Sequence, residues 1–258
     1  MSDPTDHALP LQGKVALVTG GSRGLGRETV LAFARAGADV VIASRDHDNC
    51  EALAEVVRAE HGRRALAFGC HVGRWEELDD LIDASYDEFG RVDVLVNNAG
   101  MSPLYDTPAD VSQELWRKVV DVNLSGPFRL MAAIGGRMAA GDGGSIINVS
   151  SVAGTNPTPH VLPYAAAKAG LDALTIGFAR AFGPNVRVNG IVPGTFLTDI
   201  SEHWDQEAFA RESAAFALQR GGRPDEIVGA MLYFATDASS YTTGSLLRVD
   251  GGYLQPPD

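Results

Sequence analysis

Lys14-Val15-Ala16-Leu17-Val18-Thr19-Gly20-Gly21-Ser22-Arg23-Gly24-Leu25-Gly26 is the stretch on which the fold turns. Its first half is a short apolar run ended by glycines, the pattern of a strand buried on both faces. The glycines that follow let the backbone turn tightly and approach a ligand. The helix beginning at Gly24 then faces its N-terminus toward a negative charge such as a pyrophosphate. A merely tight turn explains one or two of these glycines, not the group. No Gly-Lys-Ser/Thr follows, which disfavours nucleotide hydrolysis.

Outward from this stretch, strands and helices alternate. Helical periodicity runs from Gly24 to Ala36 and stops at Gly37, a natural C-terminal cap. Asp39 to Ala43 is a second buried strand, followed by a charged helix to His61, a strand at Ala65 to Phe68, a helix from Trp75 to Phe89 and a strand at Val92 to Val96. Two helical stretches, Ser112 to Val122 and Pro127 to Ala140, are separated by a polar break at Asn123. The strand Ser145 to Val149, a helix carrying Tyr164, a strand at Val186 to Ile191, a helix from Asp225 to Thr236 and a strand at Leu246 to Val249 complete the pattern. This alternation implies one doubly wound α/β domain over residues 1–258, with a seven-stranded parallel sheet covered by helices on both faces. Residues 1–12 read as a flexible tail. Leu197 to Ala217, with Trp204, Phe209 and Phe216 among polar residues, reads as a substrate lid or an ordinary pair of surface helices.

Composition bounds the function. With 258 residues, 45% hydrophobic and 21% charged, the chain can bury a full core. A net charge of −12 argues against nucleic acid and anionic membrane surfaces as partners. No apolar stretch approaches a membrane span and the first dozen residues carry no secretory signal. Cys50 and Cys70 are the only cysteines and read as reduced cytoplasmic thiols.

Tyr164-Ala165-Ala166-Ala167-Lys168 places a phenol and an ammonium four residues apart, on one helical face. A free tyrosine titrates near pH ~10, and a nearby positive charge favours its phenolate. Bringing it to neutrality takes roughly 3 units, or about 4 kcal/mol, which a lysine and a cationic ligand ring supply together but a lysine in water does not. In isolation the pair is equally two amphipathic side chains on a solvated face.

Taken together, Thr19-Gly20-x-x-x-Gly24-x-Gly26, Asn97-Asn98-Ala99-Gly100, Ser151 thirteen residues before Tyr164, Tyr164-x-x-x-Lys168 and Pro193-Gly194-x-x-x-Thr198 resemble the short-chain dehydrogenase/reductase family in order and spacing, from Lys14 to Gly252. The resemblance implies a catalytic set of Asn123, Ser151, Tyr164 and Lys168. Ser151 would hold the substrate oxygen, Tyr164 would exchange a proton with it, Lys168 would also grip the nicotinamide ribose, and Asn123 would anchor a water relay. Ser150 competes with Ser151, and the family spacing selects the latter.

The same resemblance implies a nicotinamide cofactor. Gly20, Ser22, Arg23, Gly24, Leu25 and Gly26 would surround its pyrophosphate side, and Ser44 and Arg45 its adenosine ribose. His71 and Val72 would lie at the adenine, with Asn98, Ala99 and Gly100 along the floor beside Asn97, for which a structural role fits equally. Pro193, Gly194 and Thr198 would shape the carboxamide end, with Tyr164 and Lys168 beneath. One departure stands out: the family usually places Asp-Val where this chain has His71-Val72. Histidine accepts a hydrogen bond only through a neutral ring nitrogen, or it stacks on the base. No second ligand at metal spacing accompanies it.

At the end of the second strand an NAD-preferring site usually carries a carboxylate. Here Ser44 stands there, followed by Arg45, and Arg23 lies inside the glycine loop. This favours NADP(H), with NAD(H) the alternative should Asp46 swing in or the arginines be solvated. The expected substrate is a moderately apolar carbonyl compound or secondary alcohol, met by Met101 to Thr107, Thr155 to Leu162 and Phe196 to Phe216. His160 and Arg211 could recognise polar groups. A 3-oxoacyl-[acyl-carrier-protein] reductase, a sugar or polyol dehydrogenase and, least of all, a cofactor-binding sensor without turnover are the competing functions. The terminal Val249-Asp250-Gly251-Gly252 resembles a last strand that often joins a homotetramer or homodimer.

Overall fold

The computed structural model describes residues 9–199, 201 and 205–253. Seven strands form one parallel sheet: β1 (Val15–Thr19), β2 (Asp39–Ser44), β3 (Ala65–Gly69), β4 (Val94–Asn97), β5 (Gly144–Val149), β6 (Val186–Pro193) and β7 (Leu246–Val249). Their spatial order is β3-β2-β1-β4-β5-β6-β7. The helices between them are α1 (Gly24–Arg35), α2 (His47–His61), α3 (Trp75–Phe89), α4 (Gln113–Val120), α5 (Gly126–Ala140), α6 (Leu162–Phe182), α7 (Gln206–Ser213) and α8 (Val228–Ala235). The winding reverses between β1 and β4, which opens a crevice at their carboxyl ends.

Strand alternation builds two cores. Val18, Val40 and Ile42 face Val30 and Phe33 of α1 and Met231 and Phe234 of α8. Leu17, Val41 and Leu95 face Leu78 and Leu81 of α3, Met131 and Ile134 of α5 and Leu171 of α6. Each such side chain, fully buried, contributes about 1.5–3 kcal/mol, so both faces of the sheet are held by burial rather than by surface ion pairs. No helix among the described residues is long and apolar enough to cross a membrane.

Three details differ from the sequence reading. Asn123 does not break the helix. The chain continues from α4 into α5 through a widened π-type turn, Asp121–Ser125. The Asn123 side chain is buried and supplies bonds that this turn distorts, donating through Nδ2 to Val119 O (2.9 Å) and Met101 O (2.9 Å). Within the expected tail, residues 9–12 are ordered: Leu11 is 1% exposed and its N–H donates to Ala36 O. The last helix begins with a tighter 3₁₀ turn, Pro224–Ile227, because proline at its start lacks an N–H. Of the insertion, α7 is a short helix capped by Asp205, which accepts from Glu207 N and Ala208 N. Phe216 is buried against Tyr253. Trp204, on which the lid expectation leaned, lies outside the described residues.

A buried polar bridge links the strands beneath the crevice. Asn97 Nδ2 donates to Asn148 Oδ1 (2.8 Å), and Asn148 Nδ2 donates to Thr175 Oγ1 of α6 (2.8 Å). Asn148→Ala therefore strands a buried donor on Asn97. We expect a loss on the order of 2–3 kcal/mol, read from the denaturant midpoint. A loss below about 0.5 kcal/mol, typical of surface changes, would show that the bridge is dispensable.

Candidate functional site

Four hydrogen bonds between side chains and backbone shape the loop after β1. Thr19 Oγ1 accepts from Asn98 N and Ala99 N, both at 3.1 Å, and Asn98 Nδ2 donates to Thr19 O (2.9 Å) and Gly20 O (3.1 Å). The Asn98 carboxamide thus staples β1 to β4. A Cβ on Gly26 would stand 2.1 Å from Gly20 O, so no other residue fits where α1 crosses the loop. Gly20 and Gly24 have φ of 62° and 52°, which favour glycine. The result is an open cradle before the first turn of α1, whose unpaired N–H groups face it.

That cradle is one end of a cavity of about 900 Å³ at the carboxyl edge of β1, β2 and β4. Its walls include Gly20, Ser22, Arg23, Gly24 and Leu25 from the loop, Ser44 and Arg45 after β2, and His71 and Val72 after β3. Asn98, Ala99, Gly100 and Thr198 complete the wall on the other side. Gly26 stands behind the loop. Pro193 and Gly194 are not in the wall; Gly194 packs against Asp250 and donates its N–H to Val249 O (3.0 Å). Sequence reasoning missed His47, Asp48, Asn49, Cys70 and Val122, which also line the cavity, and gave Met101, another lining residue, to the substrate. These residues enter the wall through the path of the chain, and none carries a motif that would mark it.

The end of β2 is polar but not acidic. Ser22 Oγ donates to Ser44 Oγ (3.0 Å), which in turn donates to Asp46 O (3.1 Å). The Asp46 carboxylate caps α2, accepting from Asn49 N (3.1 Å) and Asn49 Nδ2 (2.6 Å). Among the described residues neither Arg23 nor Arg45 has an acidic partner, although both line the cavity. At the adjoining corner, His71 Nδ1 accepts from Gly73 N (3.1 Å). In the neutral ring the proton is therefore on Nε2, which makes that nitrogen a donor.

Ser151 follows β5 and caps the short turn Val152–Gly154, its Oγ accepting from Ala153 N (3.1 Å). Tyr164 lies in the first turn of α6, half-buried, with the Ser151 hydroxyl beside its phenol. Burial pushes the phenol above its ordinary pKa, and the Ser151 hydroxyl pulls it part of the way back. Lys168 is only 3% exposed, and its Nζ donates to Val149 O (2.7 Å) and lies 5.6 Å from the centre of the Tyr164 ring. Burial pushes the ammonium down to about 8, against the opposing charge of Asp172. Gly100 keeps the wall thin here. A Cβ on it would stand 3.0 Å from Asn123 Oδ1 and 3.7 Å from Lys168 Nζ. The four residues singled out as catalytic therefore converge: the hydroxyl–phenol pair, the ammonium behind it and the buried amide across Gly100. Such an arrangement can bind an oxygen atom and pass it a proton.

Comparison with known proteins assigns the chain to a family. A family model described as enoyl-(acyl carrier protein) reductase matches residues 20–254. A short-chain dehydrogenase/reductase of Aspergillus oryzae is 38% identical over 96% of this chain and 97% of its own length. A 3-oxoacyl-[acyl-carrier-protein] reductase of Synechocystis is 39% identical over 95% of this chain and 98% of its own. The crystal structure of an NADPH-dependent 3-quinuclidinone reductase from Rhodotorula rubra, 30% identical, superposes with a TM-score of 0.88 over 98% of this chain and 96% of that one. The chain belongs to the short-chain dehydrogenase/reductase family of oxidoreductases, which use nicotinamide cofactors.

Proposed function

We propose that the protein moves a hydride between NADP(H) and a carbonyl or secondary alcohol of a moderately apolar small molecule. The observation that carries this is the Ser151 hydroxyl beside the Tyr164 phenol, with Lys168 one helical turn behind it and facing Gly100 in the cavity wall. When bound, the nicotinamide supplies or accepts the hydride. Ser151 Oγ holds the substrate oxygen, and Tyr164 Oη gives that oxygen a proton in reduction or takes one in oxidation. Lys168 stabilises the phenolate and orients the ribose, and Asn123 keeps a polar path open to the ammonium. The phenol, pushed up by burial in the protein alone, needs the positively charged ring as well as the lysine to act as a base near neutrality.

The residues present fit the cofactor. The loop leaves room for a pyrophosphate only because Gly20, Gly24 and Gly26 have no side chains. The Nε2–H of His71 offers a donor to a ring nitrogen of adenine, the reverse of the acceptor that the family's usual carboxylate provides. Preference for the 2′-phosphate rests on Arg23 and Arg45, which lack acidic partners, and on Asp46, whose carboxylate is engaged by Asn49. Two guanidinium groups on one phosphate give charge-assisted, partly bidentate bonds.

Substrate contacts come from the loop after β4 and the start of α6. Tyr105 Oη donates to Pro159 O (2.9 Å) and accepts from Leu162 N (2.7 Å), joining these segments beside a small cavity lined by Leu104, Asp106 and His160. Leu104 is 78% exposed there, which supports an apolar partner. Residues 197–217 serve as the lid, since Thr198 and Asp199 already line the cofactor cavity. The Synechocystis relative favours acyl-carrier-protein thioesters as the second reading; an acidic chain of net charge −12 is poorly suited to an acidic carrier. The protein assembles as a homotetramer or homodimer, a reading supported by the exposed apolar residues Leu246 and Leu247 on the edge strand β7 and Trp116 and Phe128 on α4 and α5, and works in the cytoplasm, where its free Cys50 and Cys70 stay reduced.

Tyr164→Phe should lose about 10²–10⁴-fold in kcat with NADPH affinity near wild type. Lys168→Ala should damage both. Activity of Tyr164→Phe within a few-fold of the parent would remove the phenol from the reaction. Wild-type kcat/KM should favour NADPH over NADH, and Arg23→Ala with Arg45→Ala should cut that ratio about tenfold or more, a change of at least about 1.4 kcal/mol. A preference for NADH, or an unchanged ratio in the double variant, contradicts the phosphate assignment.

A further inference from the structure

One buried ionisable group beside the site has no part in the scheme above. Asp172 follows Lys168 by one turn of α6 and Tyr164 by two, so the three share a helical face. It is 8% exposed, and its Oδ1 has no hydrogen-bond partner. Its other oxygen faces the turn that carries Ser151. A Cβ on Gly154 would stand 3.3 Å from Oδ2, and the nearby Ser150 hydroxyl donates to Lys168 O (3.5 Å). A buried carboxylate with a vacant lone-pair site is costly unless a neighbouring charge compensates it.

Lys168, one turn earlier on the same buried helical face, is the charge that opposes the upward push of burial on the Asp172 carboxyl, without cancelling it and without a direct ion pair, its Nζ being bonded to Val149 O. Among the described residues Asp172 is the only charged group acting on the ammonium, and Lys168 the only one acting on the carboxylate. The other groups placed at the ammonium among the described residues are neutral: the Val149 carbonyl from β5, the Asn123 amide across Gly100 and the Tyr164 ring from α6 itself. We propose that Asp172 is a positioning residue that acts through Lys168, its carboxylate being the counter-charge that keeps the lysine protonated at the cofactor. This rests on the reading of the cavity as a nicotinamide site. Burial alone brings the ammonium down to about 8 even with Asp172 in place. Without the carboxylate it deprotonates at lower pH, and both the ribose donor and the positive charge behind the phenol disappear together.

The test is a pH series of NADPH dissociation constants, from nucleotide fluorescence between about pH 6.5 and 9, a range spanning the lysine's titration. Wild type should bind more weakly above about pH 8. In Asp172→Asn this weakening should arrive earlier, giving about fivefold or more lower affinity than wild type near pH 8, as expected if the lysine shifts by about one unit. At the acid end the two should agree within about twofold, because the lysine is protonated in both. Asp172→Glu should restore the wild-type profile, and the alkaline limb of kcat/KM should move with the binding curve. Ser150→Ala, which leaves the charge in place, should not move the limb.

Superimposable profiles for wild type and Asp172→Asn overturn the proposal. So does a Ser150→Ala shift as large as that of Asp172→Asn, since geometry of the turn would then suffice. If Asp172→Asn does not fold, Asp172→Ser replaces it. If neither neutral variant folds, the carboxylate is a requirement of the fold and its assignment to the reaction falls. Wild type that binds NADPH at no pH overturns the cofactor reading and this inference with it. Wild type that binds with an alkaline loss unaltered in Asp172→Asn overturns this inference alone.

Discussion

The clamp between Asn98 and the end of β1 is the contact on which the crevice depends. Parallel strands that wind in opposite directions leave their carboxyl ends without a connecting helix between them. Here Asn98 Nδ2 reaches across to the carbonyls of Thr19 and Gly20, while Thr19 Oγ1 receives the N–H groups of Asn98 and Ala99. Four hydrogen bonds thereby fix the loop that carries Gly20 to Gly26. Once that loop is fixed, the first turn of α1 must face the cavity, and its free N–H groups need no side chain to aim them. The asparagine's amide is spent on the scaffold, which is how a residue in a binding motif can shape a site without reaching into it.

Behind this clamp, the protein places charge where solvent does not reach. Lys168 enters the core because α6 packs its inward face on β5 and β6, and Val149 O gives one of its protons an acceptor. A carbonyl is a weak substitute for water around an ammonium. The turn from Ser150 to Gly154 lies close enough to α6 that a glycine is needed at its end. Helix, turn and strand end are therefore one packed unit. A change in any of them reaches Ser151 and Tyr164 through contacts rather than through distance.

Much of this was legible in the sequence because period and punctuation were strong. Continuous apolar runs located β1 and β2, glycines closed α2 and α3, and the four-residue spacing brought Tyr164 and Lys168 together. The π-type turn was not legible, because Asn123 beside Leu124-Ser125-Gly126-Pro127 looks like the end of one helix and the start of another. What keeps the helix going is a long-range bond pair with Met101, and no local pattern encodes it. Asp172 could have been found. It stands at the same four-residue spacing from Lys168 that singled out the lysine, but a carboxylate on a helix is normally solvated, and only packing shows that this one is buried. Pro193 and Gly194 show another case: their motif is present, and it packs on Asp250 and β7 outside the cavity wall.

The acidic residue nearest the proposed phosphate shows how duty decides specificity. Asp46 lies two residues beyond the end of β2, and sequence distance alone permits it to bind ribose hydroxyls. Its carboxylate instead accepts both the backbone and the side-chain amide of Asn49, fixing the start of α2. A carboxylate serving as an N-cap typically contributes about 1 kcal/mol to its helix, and turning it toward a ribose forfeits that bond while bringing negative charge to a phosphate. Ser44, engaged with Ser22 and the Asp46 carbonyl, adds no charge of its own. Arg23 and Arg45 are the guanidinium groups of this wall, which Asp46, Asp48 and Asp199 share. The same short segment from Ser44 to Asn49 thus closes the second strand and starts the second helix, and under the proposed NADP(H) reading it ties cofactor choice to helix capping.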